Sequence, residues 1–189
     1  MTQSGRLVLM RHGETEWSKT HKHTSNTDLP LTDMGAEQAR ALGKRLAGFE
    51  FDAVFVSPLL RARQTCELAG LAARAEVMDD LREWNYGDYE GLTTPEIREM
   101  RPGWTVWADG PLGGESPQEV GSRADRVIEG AAMDAGDVAV FGHGHMLRVI
   151  AARWIGLPAS GGARIRLETA TVSTLGYERE TRVILTWNA

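Results

Sequence analysis

Apolar residues along this chain fall into short unbroken runs and spaced stripes. Leu7-Val8-Leu9-Met10, Ala53-Val54-Phe55-Val56 and Val138-Ala139-Val140-Phe141 are unbroken runs. A short apolar run bounded by turn residues reads as a strand covered on both faces, the kind a parallel sheet contains. The first and third runs stop at His-Gly pairs, in Arg11-His12-Gly13 and in Gly142-His143-Gly144-His145. Both histidines are therefore expected just past strand C-termini, the edge of an open α/β sheet where ligands bind. Ser57-Pro58 ends the second run.

Between the runs the period changes to that of a helix. Thr32 reads as the N-cap of a helix to about Ala47, with Ala39, Leu42, Leu46 and Ala47 as its apolar stripe and Gly48 as its stop. A helix from about Leu60 to Leu71 follows the second strand, then a short extended piece near Ala75–Met78. Pro95 suits the first turn of a short helix to Met100, and Pro117 opens one through about Met133. A helix from His145 to Ile155 follows the third strand. Further strands are expected near Arg164–Leu167, Val172–Tyr177 and Arg182–Trp187, the last two alternating like an antiparallel hairpin. The fold class that follows is α/β: a doubly wound, mostly parallel sheet with helices on both faces and an antiparallel C-terminal edge. No repeat, linker or low-complexity tract divides the chain, so residues 1–189 read as a single domain. Two stretches escape the pattern. Glu14–Pro30 is polar and reads as a long loop, a feature that in compact domains is usually functional; Asp80–Gly114 is rich in Trp, Gly and Pro.

Composition narrows the function classes. The 189 residues are 42% hydrophobic and 25% charged, ordinary for a globular protein able to bury a full core. A net charge of -5 and the lack of a Lys/Arg-rich block argue mildly against a nucleic-acid partner, and none is expected. Cys66 is the single cysteine. No intramolecular disulfide can form, and apolar neighbours make it a buried, inert thiol in a reducing compartment. No segment is apolar for long enough to be a signal peptide or a membrane span, so no membrane partner and a cytoplasmic location are expected.

The polar groups at the strand ends suit phosphoryl transfer, which needs a nucleophile, positive charge around three equatorial oxygens and a proton for the leaving group. His12 can attack as a neutral imidazole, since an unperturbed pKa of roughly 6.5 leaves it largely free base near neutrality. Arg11 and Arg61 offer planar forks of donors that match phosphate oxygens and keep their charge. His143 adds a further donor. Glu83 is the candidate general acid, because Leu81 and Trp84 can hold its carboxyl partly desolvated and raise its pKa. Asp80 and Arg82 read as solvated. Ser18, Thr24 and Ser25 in the long loop, with Trp84, Tyr86 and Gly144, are candidate substrate-binding residues. His145 and Arg148 lie three apart on one helix face, either to meet a second anionic group or to brace His143. His21 and His23 read as solvent-exposed, although His23 can line the mouth. Trp154 and Trp187 read as packing residues, whereas Trp17, Trp84, Trp104 and Trp107 fall in loops expected to overhang the pocket. The carboxylates are scattered and no histidines have ligand spacing, so no metal site is expected. Gly142-His143-Gly144 does not match a dinucleotide fingerprint, and no cofactor is implied.

Arg11-His12-Gly13 resembles the signature of the histidine phosphatase superfamily, the phosphoglycerate-mutase-like family. The resemblance extends through Thr24 to Thr32, Ser57 to Thr65, Leu81 to Gly91, Gly114-Glu115-Ser116 and Gly142 to His145, in the family's order. It implies a phosphoglycerate mutase-like fold, His12 as the nucleophile that forms phosphohistidine, Arg11, Arg61 and His143 as the phosphate pocket, and Glu83 as the proton donor. Many relatives carry glycine where this chain has Ser25. A homodimer is common in the family, and the sequence leaves the oligomeric state open. Mutases carry a long insertion between the Tyr-Gly block and Gly-Glu-Ser, whereas Gly91 to Gly114 is short here. An open pocket admits water to the intermediate and favours hydrolysis. The blocks look most like actinobacterial acid phosphatases and the fungal sedoheptulose-bisphosphatase branch. The expectation is a metal-independent phosphomonoester hydrolase acting on a small phosphorylated metabolite, a sugar phosphate or bisphosphate. Phosphoglycerate mutase activity and a non-catalytic phosphate-binding module are the alternatives.

Overall fold

The computed structural model describes residues 5–131 and 136–189. The strands are β1 (Leu7–Arg11), β2 (Phe51–Val56), β3 (Ala75–Val77), β4 (Asp137–Gly142), β5 (Val172–Glu178) and β6 (Thr181–Thr186). They form one six-stranded sheet in the order β3-β2-β4-β1-β5-β6. β3, β2, β4 and β1 pair in parallel, while β5 runs antiparallel to β1 and β6 antiparallel to β5. The three apolar runs are thus the adjacent central strands, and the alternating C-terminal pair forms the antiparallel edge.

Burial on both faces explains why the runs are unbroken. Leu7 and Leu9 join a core with Val120, Val127, Leu147 and Ile150, whereas Val8 and Met10 join another with Leu42, Leu46, Ala62 and Cys66. One face is covered by α2 (Asp33–Leu46) and α3 (Leu60–Leu68), the other by α6 (Pro117–Gly130) and α7 (Gly144–Trp154). The chain runs outward from β1 through β2 to β3, then returns to insert β4 between β1 and β2. In the parallel register Arg11 stands opposite Gly142, so His12 and His143 leave neighbouring strands at the same level.

The expected boundaries hold where caps are strong. Thr32 caps α2 by accepting from the Gly35 N–H at 3.0 Å, and Ser116 forms a capping box with Glu119 ahead of Pro117. The expected end of that helix at Met133 lies outside the described residues. α3 stops before Leu71 because Gly70 turns the chain with a φ of +83°, a conformation only glycine takes at little cost. Two readings need correction. The polar loop from Glu14 contains α1 (Glu16–Lys19), capped by Thr15. No strand forms at Arg164–Leu167. Ala159–Arg164 is instead a 3-10 turn, and β5 already takes the free edge of β1. The carbonyls beyond it are bound by side chains, that of Leu167 by Arg11 and that of Arg166 by the Trp187 indole. Between β3 and β4 lie α4 (Thr94–Met100) and α5 (Val106–Asp109). No helix among the described residues is long and apolar enough to cross a membrane.

Candidate active site

His12 is 5% exposed and His143 fully buried, with ring centroids 5.2 Å apart. Adjacent strands lie about 4.8 Å apart, so this spacing is inherited from the sheet. The Gly13 carbonyl lies 2.7 Å from His12 Nδ1 and can only accept, so Nδ1 carries the proton and Nε2 the lone pair. The turn that aims the ring depends on glycine. A Cβ on Gly13 would sit 2.3 Å from the Gly35 carbonyl oxygen, and one on Gly35 would sit 2.1 Å from that of Glu14. The Gly13 N–H donates to Thr65 Oγ1 at 3.0 Å, which donates to the Arg61 carbonyl at 2.7 Å. His143 Nε2 lies 2.7 Å from Ser57 Oγ. Burial, and then the charge of Arg61, push both imidazoles well below their usual titration range, with Arg11 adding to the effect.

Arg61 projects from α3 and is fully buried. Its Nη1 donates to the Thr27 carbonyl at 3.3 Å, and its Nη2 to those of Thr24 and Ser25 at 3.2 and 3.3 Å. The loop offering these carbonyls is itself tied down by Glu90, whose Oε1 accepts from Ser25 N–H at 3.1 Å and Thr27 N–H at 2.6 Å. Arg11 ends β1 and is held by the Leu167 carbonyl; a Cβ on Gly144 would crowd its Cζ at 3.3 Å. Burial lowers both guanidinium pKa values, and the nearby Glu83 carboxylate opposes this. Among the described residues, the buried side-chain nitrogens without a hydrogen-bond partner are Arg11 Nε, Arg61 Nε and His143 Nδ1. An unsatisfied buried polar group costs about 1–3 kcal/mol. Three such nitrogens beside one imidazole leave donor capacity that the oxygens of an anion can take up.

Glu83, 7% exposed, meets the start of α7. Oε1 accepts from the N–H groups of Trp84 at 2.9 Å and Met146 at 2.8 Å, and Oε2 from that of His145 at 3.0 Å. Burial is as expected, but its company is main-chain donors at a helix N-terminus rather than apolar side chains alone. Tyr86 lies 2.5 Å from His145 Nδ1. Burial raises the phenol pKa and depresses that of the imidazole, so the hydroxyl donates and His145 Nε2 bears the hydrogen. Arg148 lies 4.4 Å over the Trp107 ring, donates to the Gly162 carbonyl at 3.0 Å, and is lowered by burial to about 10.

Of the candidate residues, Arg11, His12, Ser18, Thr24, Glu83, Tyr86, Gly144, His145 and Arg148 line one cavity of about 180 Å³. Arg61 and His143 are wholly buried beside His12. Ser25 and Trp84 do not line it. Ser25 spends its main chain on Arg61 and Glu90, and Trp84 is buried with its indole N–H on the Glu115 carbonyl at 2.8 Å. Ser18 reaches the wall, but its hydroxyl is engaged with Thr15. The tryptophan reading also changes. Trp17 packs against Gly91 and Trp104 is buried, while Trp107 stands behind His145 and Arg148. His23 lines the cavity and packs on Tyr86, and burial lowers its pKa to about 4. Asp80 is ion-paired with Arg126 rather than simply solvated. Lys22 also lines the wall; its place beside His23 was the only signal for it. Ser57, Thr65 and Glu90 lie inside the motif blocks, where nothing local in the sequence marks their contacts with His143, Gly13 and the Ser25 loop. A larger cavity of about 690 Å³ lies beyond Trp107, where Arg153 is paired with Asp125 at 2.8 Å and no histidine is present.

Residues 7–189 match the model of the histidine phosphatase superfamily (branch 1). The chain belongs to that superfamily. It is 44% identical to an acid phosphatase of Mycobacterium tuberculosis, with 94% of this chain and 89% of that protein covered. It is 41% identical to a sedoheptulose 1,7-bisphosphatase of Saccharomyces cerevisiae, covering 80% of this chain and 68% of the relative. A solved open reading frame product of M. tuberculosis superposes with a TM-score of 0.94 at 42% identity over 98% of each chain. A mycobacterial glucosyl-3-phosphoglycerate phosphatase complexed with VO3 gives a TM-score of 0.86 at 28% identity, over 98% of this chain and 99% of that one. The superfamily member described here is thus similar to phosphatases along its length.

Proposed function

We propose that this chain is a metal-independent phosphatase that hydrolyses a small phosphorylated metabolite through a phosphohistidine on His12. The observation that carries the reading is the set of three unpaired buried donors, Arg11 Nε, Arg61 Nε and His143 Nδ1, around an imidazole whose Nε2 holds a lone pair. In this reading the guanidinium forks and His143 hold the phosphoryl oxygens and supply the positive charge. The Ser57 hydroxyl donates to His143 Nε2, which leaves Nδ1–H for an oxyanion. His12 Nε2 attacks phosphorus, the P–O ester bond breaks, and Glu83 gives its proton to the departing alkoxide. Oε2 accepts one N–H against two on Oε1, and so keeps a lone pair for that proton. Water then attacks the phosphohistidine, Glu83 takes the water's proton, and the P–N bond breaks to release phosphate and restore His12.

The substrate in this reading is a sugar phosphate or bisphosphate. Arg148 and Lys22 bring positive charge to the leaving-group wall, and His145 adds a neutral donor. The named activities of the yeast and mycobacterial relatives support this class. A mutase reading has some support too, from 36% identity to a 2,3-bisphosphoglycerate-dependent phosphoglycerate mutase of Rhizobium meliloti. A mutase interconverts phosphoglycerates faster than it releases phosphate, which one product assay decides. The purified protein is expected to hydrolyse p-nitrophenyl phosphate in the presence of EDTA, more strongly at mildly acidic pH, and His12→Ala to abolish it. EDTA-sensitive turnover, or turnover that survives His12→Ala, overturns the mechanism; phosphate binding without turnover indicates a binding module.

A further inference from the structure

Arg123 sits on α6 outside the cavity wall, yet its guanidinium is spent on the segment that carries Glu83. Nη1 donates to the carbonyls of Asp80 at 2.7 Å and Arg82 at 2.8 Å, and Nη2 to that of Glu83 at 3.4 Å. The rest of the fork closes on Glu115, Nε to Oε1 and Nη2 to Oε2, each at 2.7 Å. Glu115 in turn takes the Asn85 N–H on Oε2 at 2.8 Å, returns its own N–H to the Asn85 carbonyl at 3.0 Å, and takes the Trp84 indole on its carbonyl. Arg126 adds a second tie from the same helix through the Asp80 carboxylate.

The segment from Arg82 to Tyr86 belongs to no helix or strand, so no ladder fixes its course. The carbonyls of Arg82 and Glu83 and the N–H and carbonyl of Asn85 are instead taken up by the two partners of one half-buried ion pair, 13% and 22% exposed at Arg123 and Glu115. The Glu83 side chain is gripped from the opposite side by the amides at the start of α7. The carboxyl is therefore held between α6 and α7, with its main chain on one and its oxygens on the other.

Taking Glu83 as the proton donor of the reading above, we propose that Arg123 and Glu115 are positioning residues that hold its carboxyl at the leaving-group oxygen. A planar guanidinium spans three carbonyls and a carboxylate at once, which a point-charge ammonium cannot do. The effect is specific to proton delivery, because the phosphate donors Arg11, Arg61 and His143 come from other elements.

The test compares two leaving groups. p-Nitrophenolate departs without a proton, whereas the alkoxide of 2-glycerol phosphate needs one. Glu83→Gln is expected to lower kcat/KM for glycerol phosphate by about 10²-fold or more and to spare p-nitrophenyl phosphate by comparison. Arg123→Met is expected to follow the same pattern at about 10-fold, short of the roughly 10²-fold that an ångström of misplacement can cost. Inhibition by vanadate is expected to stay unchanged, and Arg123→Met added to Glu83→Gln to cost less than about 2-fold more. Glu115→Gln and Arg123→Lys, both kept folded by thermal-melt criteria, are expected to show the selectivity in weaker form if Arg123→Met is unstable. Equal losses on both substrates, weakened vanadate inhibition, or full additivity with Glu83→Gln overturn the positioning role. If Glu83→Gln itself shows no leaving-group selectivity, the proton-donor reading falls, whatever Arg123 does.

Discussion

His12 and His143 leave adjacent parallel strands in register, so the sheet sets the distance between them. Glu83 and His145, across the same cavity, come from an irregular segment and a helix start, and only hydrogen bonds set their relation. In the first region strand pairing fixes the positions of Arg11, His12 and His143, and the start of α3 adds Arg61 beside them. The second is held by separate side chains: Glu115 and Arg123 behind Glu83, Tyr86 beside His145, Trp107 under Arg148. In the function proposed above, holding the phosphoryl group falls to the first, and proton transfer and contact with the leaving group to the second.

The largest effect is expected at the floor, where Arg61 of α3 lies beside the two strand-end histidines. Arg61→Lys keeps the charge but loses the fork, and kcat/KM is expected to fall about 10²–10³-fold for every phosphate ester alike. A loss confined to one substrate breaks the division. Arg148→Met is the matching test on the wall. It is expected to raise KM about 10-fold for a sugar bisphosphate and leave p-nitrophenyl phosphate within about 2-fold, in line with one charged hydrogen bond lost. Equal losses on both substrates would place Arg148 with the floor instead. Ser57→Ala removes the partner of His143 Nε2 and is expected to cost about 5-fold on all substrates, the size of one neutral hydrogen bond.

The smallest effect is on stability and comes from both regions together. Burial depresses the pKa values of His12, His23, His143 and His145 from 6.5, that of His23 to about 4. Unfolded, these imidazoles take up protons below about 6.5 while the folded chain does not, so the unfolded state binds more protons there and stability falls as the pH is lowered. Thermal melts are expected to be flat above pH 7 and to drop progressively from about pH 6.5 toward pH 4. Replacing His23 with Gln is expected to shallow that drop without touching the floor. A melting temperature that holds steady across this window refutes the neutral-imidazole account.

What was legible in the chain follows from range. His12, His143 and Arg11 were readable because a strand C-terminus is a local signal and the sheet edge converts it into a place. The boundaries of α2 and α6 were readable because Thr32 and Ser116 act within three residues of themselves. Ser57, Glu90, Glu115 and Arg123 were not, since each acts on main-chain or ring atoms of a segment far away in sequence. Ser25 and Trp84 were misplaced for the same reason. A residue inside a functional block can serve the site through its backbone or from behind, and spacing does not distinguish that from contact with substrate. Arg164–Leu167 carried a strand-like pattern, but β5 had already taken the available edge.

By itself the order of residues decided the class of sheet, which strands lie at its centre, and that two imidazoles and a guanidinium emerge where those strands end, because burial and pleat geometry act over a few residues. Only the folded chain decided which nitrogen of His12 is free, which donors have no partner, and that a loop without secondary structure is braced between two helices. Those outcomes depend on hydrogen bonds between groups that meet only after the layers have packed.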